Sequence, residues 1–177
     1  HNTASGNYAT AEGFYSIASG NYSHAEGEAE AKGDFSHAEG TGAEGEPPSL
    51  EWVETTAIGK ASHAEGMATT ARGNNSHSEG SWTIANGTAS HAECFNTQAL
   101  GDCSHSGGEG TIAQGECQTA IGTYNVAQGT SKTHNPTDYA LIIGNGSDED
   151  NRSNALAIKW NGTFVFANGT EITPAQF

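Results

Sequence analysis

Residues 23–40 read SHAEGEAEAKGDFSHAEG, and the block SHAEG that opens the stretch also closes it. A histidine and a glutamate two apart suggest metal or acid–base chemistry, whereas their repetition suggests architecture. Working outward, the frame is A-x-G. It occurs at Ala4/Gly6, Ala11/Gly13, Ala18/Gly20, Ala25/Gly27, Ala31/Gly33 and Ala38/Gly40, then from Ala57/Gly59 in steps of seven to Ala127/Gly129. Ser78 and Ser106 replace the alanine, and Cys94 replaces a glycine. A serine or threonine stands two residues before most of the alanines, as at Ser23, Ser36, Thr55, Ser62, Thr69 and Ser76.

Histidine precedes the alanine position only in alternate halves, at His24, His37, His63, His77, His91 and His105, so the full repeat is 14 residues. In extended chain, successive side chains point to opposite faces. Ser23, Ala25 and Gly27 therefore share one side, and His24 and Glu26 the other. With the small side inward, two short strands joined by glycine turns enclose room only for Ala, Ser and Gly. The spacing predicts an all-β fold, a β-solenoid whose coils pair with those above and below. Its 17 half-repeats give eight or nine layers and a rod about 40 Å tall at about 4.8 Å per layer. A helical reading fails, because glycine recurs every seventh residue and no i, i+3, i+4 apolar stripe exists.

Composition agrees. With 24 Gly, 15% charged and 8% aromatic residues, the chain lacks the large side chains of an ordinary core. A strict period argues against disorder. The net charge of -15, from 21 acidic and 6 basic residues, repels a polyanion, so no nucleic-acid partner is expected. No apolar run is long enough to span a bilayer, no membrane insertion is expected, and no signal peptide is visible. The chain starts at His1 without a methionine and reads as a fragment. So thin a rod buries little apolar surface, and association into a closed cyclic oligomer is expected to supply the remainder.

The S/T-x-A-x-G heptads resemble the head repeats of trimeric autotransporter adhesins of the YadA type. The family motif N-S-V-A-I-G aligns with Tyr22-Ser-His-Ala-Glu-Gly27, and Thr55-Thr-Ala-Ile-Gly59 and Gln118-Thr-Ala-Ile-Gly122 come closer. The resemblance covers about residues 3–129. It implies a left-handed parallel β-roll, a homotrimer, an extracellular place on a bacterial surface, and attachment to a host surface protein, matrix component or glycan. In the family, the valine and isoleucine positions pack toward neighbouring chains. Carried over, this sends His24, Glu26, His37, Glu39, His63, Glu65, His77, Glu79, His91, Glu93 and His105 to the trimer interface. Polar ladders then stand where aliphatic ones are usual, and the interface is hydrogen-bonded or wet.

The expected organisation is a roll over residues 1–129, a connector over 130–138 and a small β cap over 139–177. The repeat stops after Gly129, and Asn161-Gly162 between apolar alternating runs predicts a hairpin. Leu156, Ile158, Trp160, Phe164 and Phe166 give this cap an apolar mass that the rod lacks. It resembles modules of bacteriophage tail fibres and of Gram-positive surface proteins, so a tail-fibre segment on a virion is the alternative to an adhesin head.

Other sites carry paired readings. The His/Glu ladder reads as structural stacking or as zinc ligands, giving a metal-binding rod as a third hypothesis. Catalysis needs an asymmetric pocket, which periodicity destroys, so neither an enzyme nor a cofactor is expected. An insertion over 41–56 interrupts the period, and its Pro47, Pro48, Leu50, Trp52 and Val53 form either a ligand-contact patch or a packed clasp. Cys103 and Cys117, 14 apart, stack as free thiols or as a disulfide. The acidic loop from Gly146 to Asn151 reads as solvated chain or as an oxygen site for calcium.

Overall fold

The computed structural model describes residues 1–44 and 51–176 of the 177-residue chain. They form a parallel β-solenoid of short strands, with identical positions 14 residues apart paired across adjacent coils. One wall is an eight-stranded sheet from Thr3–Ala4 to Ile112–Ala113. The other runs from Thr10–Gly13 through Thr119–Thr123 into the C-terminal part, with twelve strands.

Register places like on like. His63 faces His77, Ala64 faces Ser78, Glu65 faces Glu79 and Gly66 faces Gly80. The coil after Ser23 is one residue short, yet His24 still pairs with His37 and Ala18 with Ala31. The deficit is absorbed between the walls, near Glu28, because both strand registers are kept.

The interior is what the period-2 reading requires. Ala25, Ala38, Ala64, Ala71, Ala85, Ala92 and Ala99 are fully buried, as are Thr55, Thr69, Thr83, Thr97 and Thr111. Buried hydroxyls need partners. The SHAEG serines find theirs three residues back, Ser62 Oγ donating to the Gly59 carbonyl and Ser76 Oγ to that of Gly73, both at 2.7 Å. Thr83 and Thr97 donate to the carbonyls of Glu79 and Glu93 at 3.1 and 2.9 Å.

The glycines divide into two kinds, which corrects the expectation that all of them line the interior. Those of the intervening halves, such as Gly59, Gly73 and Gly87, are buried. A Cβ on Gly73 would fall within the Gly87 carbonyl. Those of SHAEG lie at a surface corner instead. Gly27, Gly40, Gly66 and Gly80 have φ of 85, 136, 111 and 101°, a region that side chains with a Cβ avoid. The chain must turn there to reach the other wall, so the alternation that buries Ser and Ala stops one position early.

The insertion leaves the rod as an antiparallel pair, Ala43–Glu44 against Trp52–Val53. The solenoid resumes with Thr55–Ala57 on Ala29–Ala31. Pro47, Pro48 and Leu50 lie outside the described residues.

The repeat ends in sequence before it ends in space. Tyr139–Asn145 pairs in parallel with Thr119–Thr123, Ile142 occupying the alanine position beside Ala120 and Gly144 lying beside Gly122. Asn154–Lys159, Phe164–Phe166 and Glu171–Ile172 then follow antiparallel, with the predicted turn at Asn161-Gly162 and a φ of 83° at Gly162. The buried apolar residues of this part are Ile142 and Ala157. Leu156, Ile158, Trp160 and Phe164 are only half-buried and Phe166 is exposed, because the antiparallel strands continue one wall with no second wall behind them.

Candidate functional site

The in-register wall converts each sequence position into a column, and the predicted ladder is one of these. Six imidazoles, His24, His37, His63, His77, His91 and His105, stack face to face with ring centroids 4.7–5.1 Å apart and planes within 7° of parallel. The glutamates beside them form a second column. Within a coil, His37 and His63 lie 3.9 Å from Glu39 and Glu65. Between coils, His77 is 3.5 Å from Glu65, and His91 and His105 hydrogen-bond Glu79 and Glu93 at 3.1 and 3.0 Å. These side chains are about a third exposed, whereas the Nε2 atoms of His24, His37, His63 and His77 are buried and lack a hydrogen-bond partner. Burial, then the flanking His63 and His24, hold the His37 imidazole below its ordinary pKa, while Glu39 and Glu26 oppose the shift.

A groove of about 540 Å³ runs along this face over four coils, lined by Glu26, Glu39, Glu65 and Glu79 and the corner glycines that follow them. The glycines lack side chains and the glutamates lean toward the histidines, leaving an open channel parallel to the rod axis.

At the insertion, Trp52 is half exposed and its indole lies against Gly42 on its own hairpin, with Val53 half-buried. Nearby, Glu54 has its pKa raised by burial and then by Glu30, which forms an ion pair with Lys32. Cys103 and Cys117 are free and exposed on adjacent coils, and partial desolvation at the rod surface, followed by the neighbouring Cys103, raises the Cys117 thiol. In the acidic loop, Asp148 accepts bonds from the Asn151 amide, the Ser147 hydroxyl and two backbone amides, which hold its carboxyl below the usual range. That carboxylate is already satisfied by its own loop.

One feature escaped the sequence reading. The acidic loop folds back on the rod, with Glu149 accepting from Asn96 Nδ2 at 2.9 Å and Arg152 donating to the Gly110 carbonyl at 2.7 Å. The Arg152 guanidinium lies 5.6 Å above the Tyr124 ring. Between loop and rod lies a cleft of about 620 Å³ lined by Trp82, Ile84, Phe95, Asn96, Tyr124 and the carboxylates of residues 148–150. The available signal was that Trp82, Asn96 and Tyr124 fall 14 or 28 residues apart, hence on one corner column.

A second aromatic column stands near the N-terminal end, where Tyr8, Tyr22 and Phe35 stack at 5.1 Å with their edges exposed. No helix among the described residues is long and apolar enough to cross a membrane. No protein-family model and no curated protein matches this chain.

Proposed function

We propose that the chain is a passive attachment rod, a homotrimeric, non-enzymatic head of the YadA-like type that presents a ligand surface outside a bacterial cell or on a virion tail. The observation that carries this reading is the columnar surface. Most outward positions recur at the coil spacing along the rod, which suits extended presentation and multivalent contact. Trimerisation is supported by the His/Glu face, a flat wall with an open groove beside it that a second rod can fill. The Trp52 hairpin and the cleft of exposed Phe95 and half-buried Trp82 offer the accessible aromatic side chains that binding surfaces favour.

Light scattering on the full chain at neutral pH tests the assembly, with the mass of three chains expected and a folded monomer overturning it. A glycan and matrix-protein binding screen, repeated after deletion of residues 43–54, tests attachment. Loss of binding on deletion assigns contact to the hairpin, and retained binding moves it to the cleft. No binding in either form overturns the attachment reading. A flanking coiled coil and membrane barrel would mark an adhesin, and a baseplate-attaching segment a fibre.

A further inference from the structure

We propose that the middle of the histidine column is a metal site that holds one borderline-soft divalent cation of the zinc class per chain, with His77 as the ligand common to two alternative positions. Two groups of three donors lie within 4.8 Å of one another, His63/Glu65/His77 and His77/Glu79/His91. No other group of three His, Cys, Asp or Glu donors this close occurs among the described residues. The rest of the column does not meet the condition, although it repeats the same residues.

Each triad offers two imidazoles and a carboxylate, the three-protein-ligand set of an open tetrahedral site whose fourth position goes to water. Glu65 already straddles its two histidines, 3.9 Å from His63 Nε2 and 3.5 Å from His77 Nε2. In the second triad Glu79 lies 3.1 Å from His91 Nε2. A tetrahedral ion with bonds of about 2.0–2.1 Å sets its donors about 3.4 Å apart, so the carboxylate needs little movement. The rings need more. Their centroids are 4.7 and 4.8 Å apart, whereas two nitrogens on one zinc span about 4.2 Å at most. The rings must tilt toward each other, and their partial exposure leaves room for it.

A second observation points to a ligand independently of the donor geometry. The Nε2 atoms of His63 and His77, like those of His24 and His37, are buried and have no hydrogen-bond partner, a deficit that a coordinated cation removes where a third donor stands close enough, as it does among the described residues only in the two triads. Mixed nitrogen and oxygen donors favour zinc, copper or nickel over magnesium and calcium. The net charge of -15 raises the local cation concentration. Because both triads require His77, filling one dismantles the other. The stoichiometry is therefore one ion per chain, not one per coil. All five ligands belong to a single chain, so the site stands whether or not the trimer does.

Zinc titration by calorimetry and equilibrium dialysis, on chelator-treated full chain with Cys94, Cys103 and Cys117 alkylated, tests the site. We expect about one zinc per chain, a raised thermal midpoint, and no comparable binding of calcium or magnesium. His77→Ala should weaken zinc binding at least tenfold, and His77→Gln, a larger polar replacement, should do the same with the circular dichroism unchanged. His24→Ala, in the same column but outside both triads, should bind as the parent does. No zinc uptake, equal loss in the His24 and His77 variants, uptake near six ions per chain, or equal affinity for calcium would each overturn the proposal.

Discussion

The serine of SHAEG shows how a polar residue can serve as core. Ser62 is buried, yet its hydroxyl is satisfied by the Gly59 carbonyl at 2.7 Å, within the turn that the serine itself closes. Ser62→Ala removes this bond and leaves the carbonyl one partner short, an expected loss of about 1 kcal/mol in chemical denaturation. Glu54 runs the other way. Its carboxyl is raised by burial and by Glu30, so folding favours the protonated form, and the stability it contributes is full below the unfolded pKa and falls as pH rises through the folded one. Glu54→Gln should accordingly raise the thermal midpoint at pH 7 and leave it unchanged near pH 3, with solvent screening of this half-buried charge holding the gain within about 1 kcal/mol. A midpoint that drops at pH 7 would contradict this account. At this scale the sequence was readable wherever one residue's environment repeats. It was not readable where rotamers decide, which is why six identical histidines gave no hint that His63, His77 and His91 differ from the others.

At the scale of the coil, small residues are a geometric requirement rather than a preference. Ala64 is fully buried between Ala38 and Ser78, and its methyl already fills the gap between the walls. Ala64→Val adds two carbons at a fully buried position between close-stacked coils and should cost about 1–3 kcal/mol. Gly73→Ala should cost more, because its Cβ would meet the Gly87 carbonyl and push two coils apart. Urea midpoints for the two variants, measured side by side, check the order, and a milder Gly73 variant would refute the close-packed turn. The period alone specified the strands, the 14-residue coil and the exit of the insertion. It failed at Gly27 and its equivalents, because alternation holds only while the chain stays extended, and these glycines begin the turn. The cleft was hidden for another reason. Asn96 and Glu149 meet across 53 residues, and no local pattern reports a contact of that range.

The whole rod must also stop. Stacked coils leave a row of unpaired amides and carbonyls at each open end, a template for further strands. One wall is continued by Tyr139–Asn145 and the antiparallel strands after it, but the other ends at Ile112–Ala113. There the Asn125 side chain substitutes for the missing strand. Its Oδ1 accepts from the Ile112 amide at 2.7 Å and its Nδ2 donates to the Ile112 carbonyl at 3.0 Å, the pair of bonds that another coil would have made. Gln118, fully buried in place of the usual serine, closes the lumen by bonding Gln114 and Gly115 amides on one side and the Gln128 and Tyr139 carbonyls on the other. Neither residue was legible as a stop, since each occurs once and periodicity carries no information about single events. Asn125→Ala removes both bonds from a fully buried position. At about 1–3 kcal/mol for each buried group left unsatisfied, the loss should lower the thermal midpoint by several degrees. Hydrogen exchange should accelerate first at Ile112 and Ala113, spreading toward Gln98 and leaving Thr3 to Ala18 unchanged, because a solenoid couples only neighbouring coils. Uniform acceleration along the rod would mean that the coils unfold as one unit and that Asn125 is an ordinary core contact rather than a terminator.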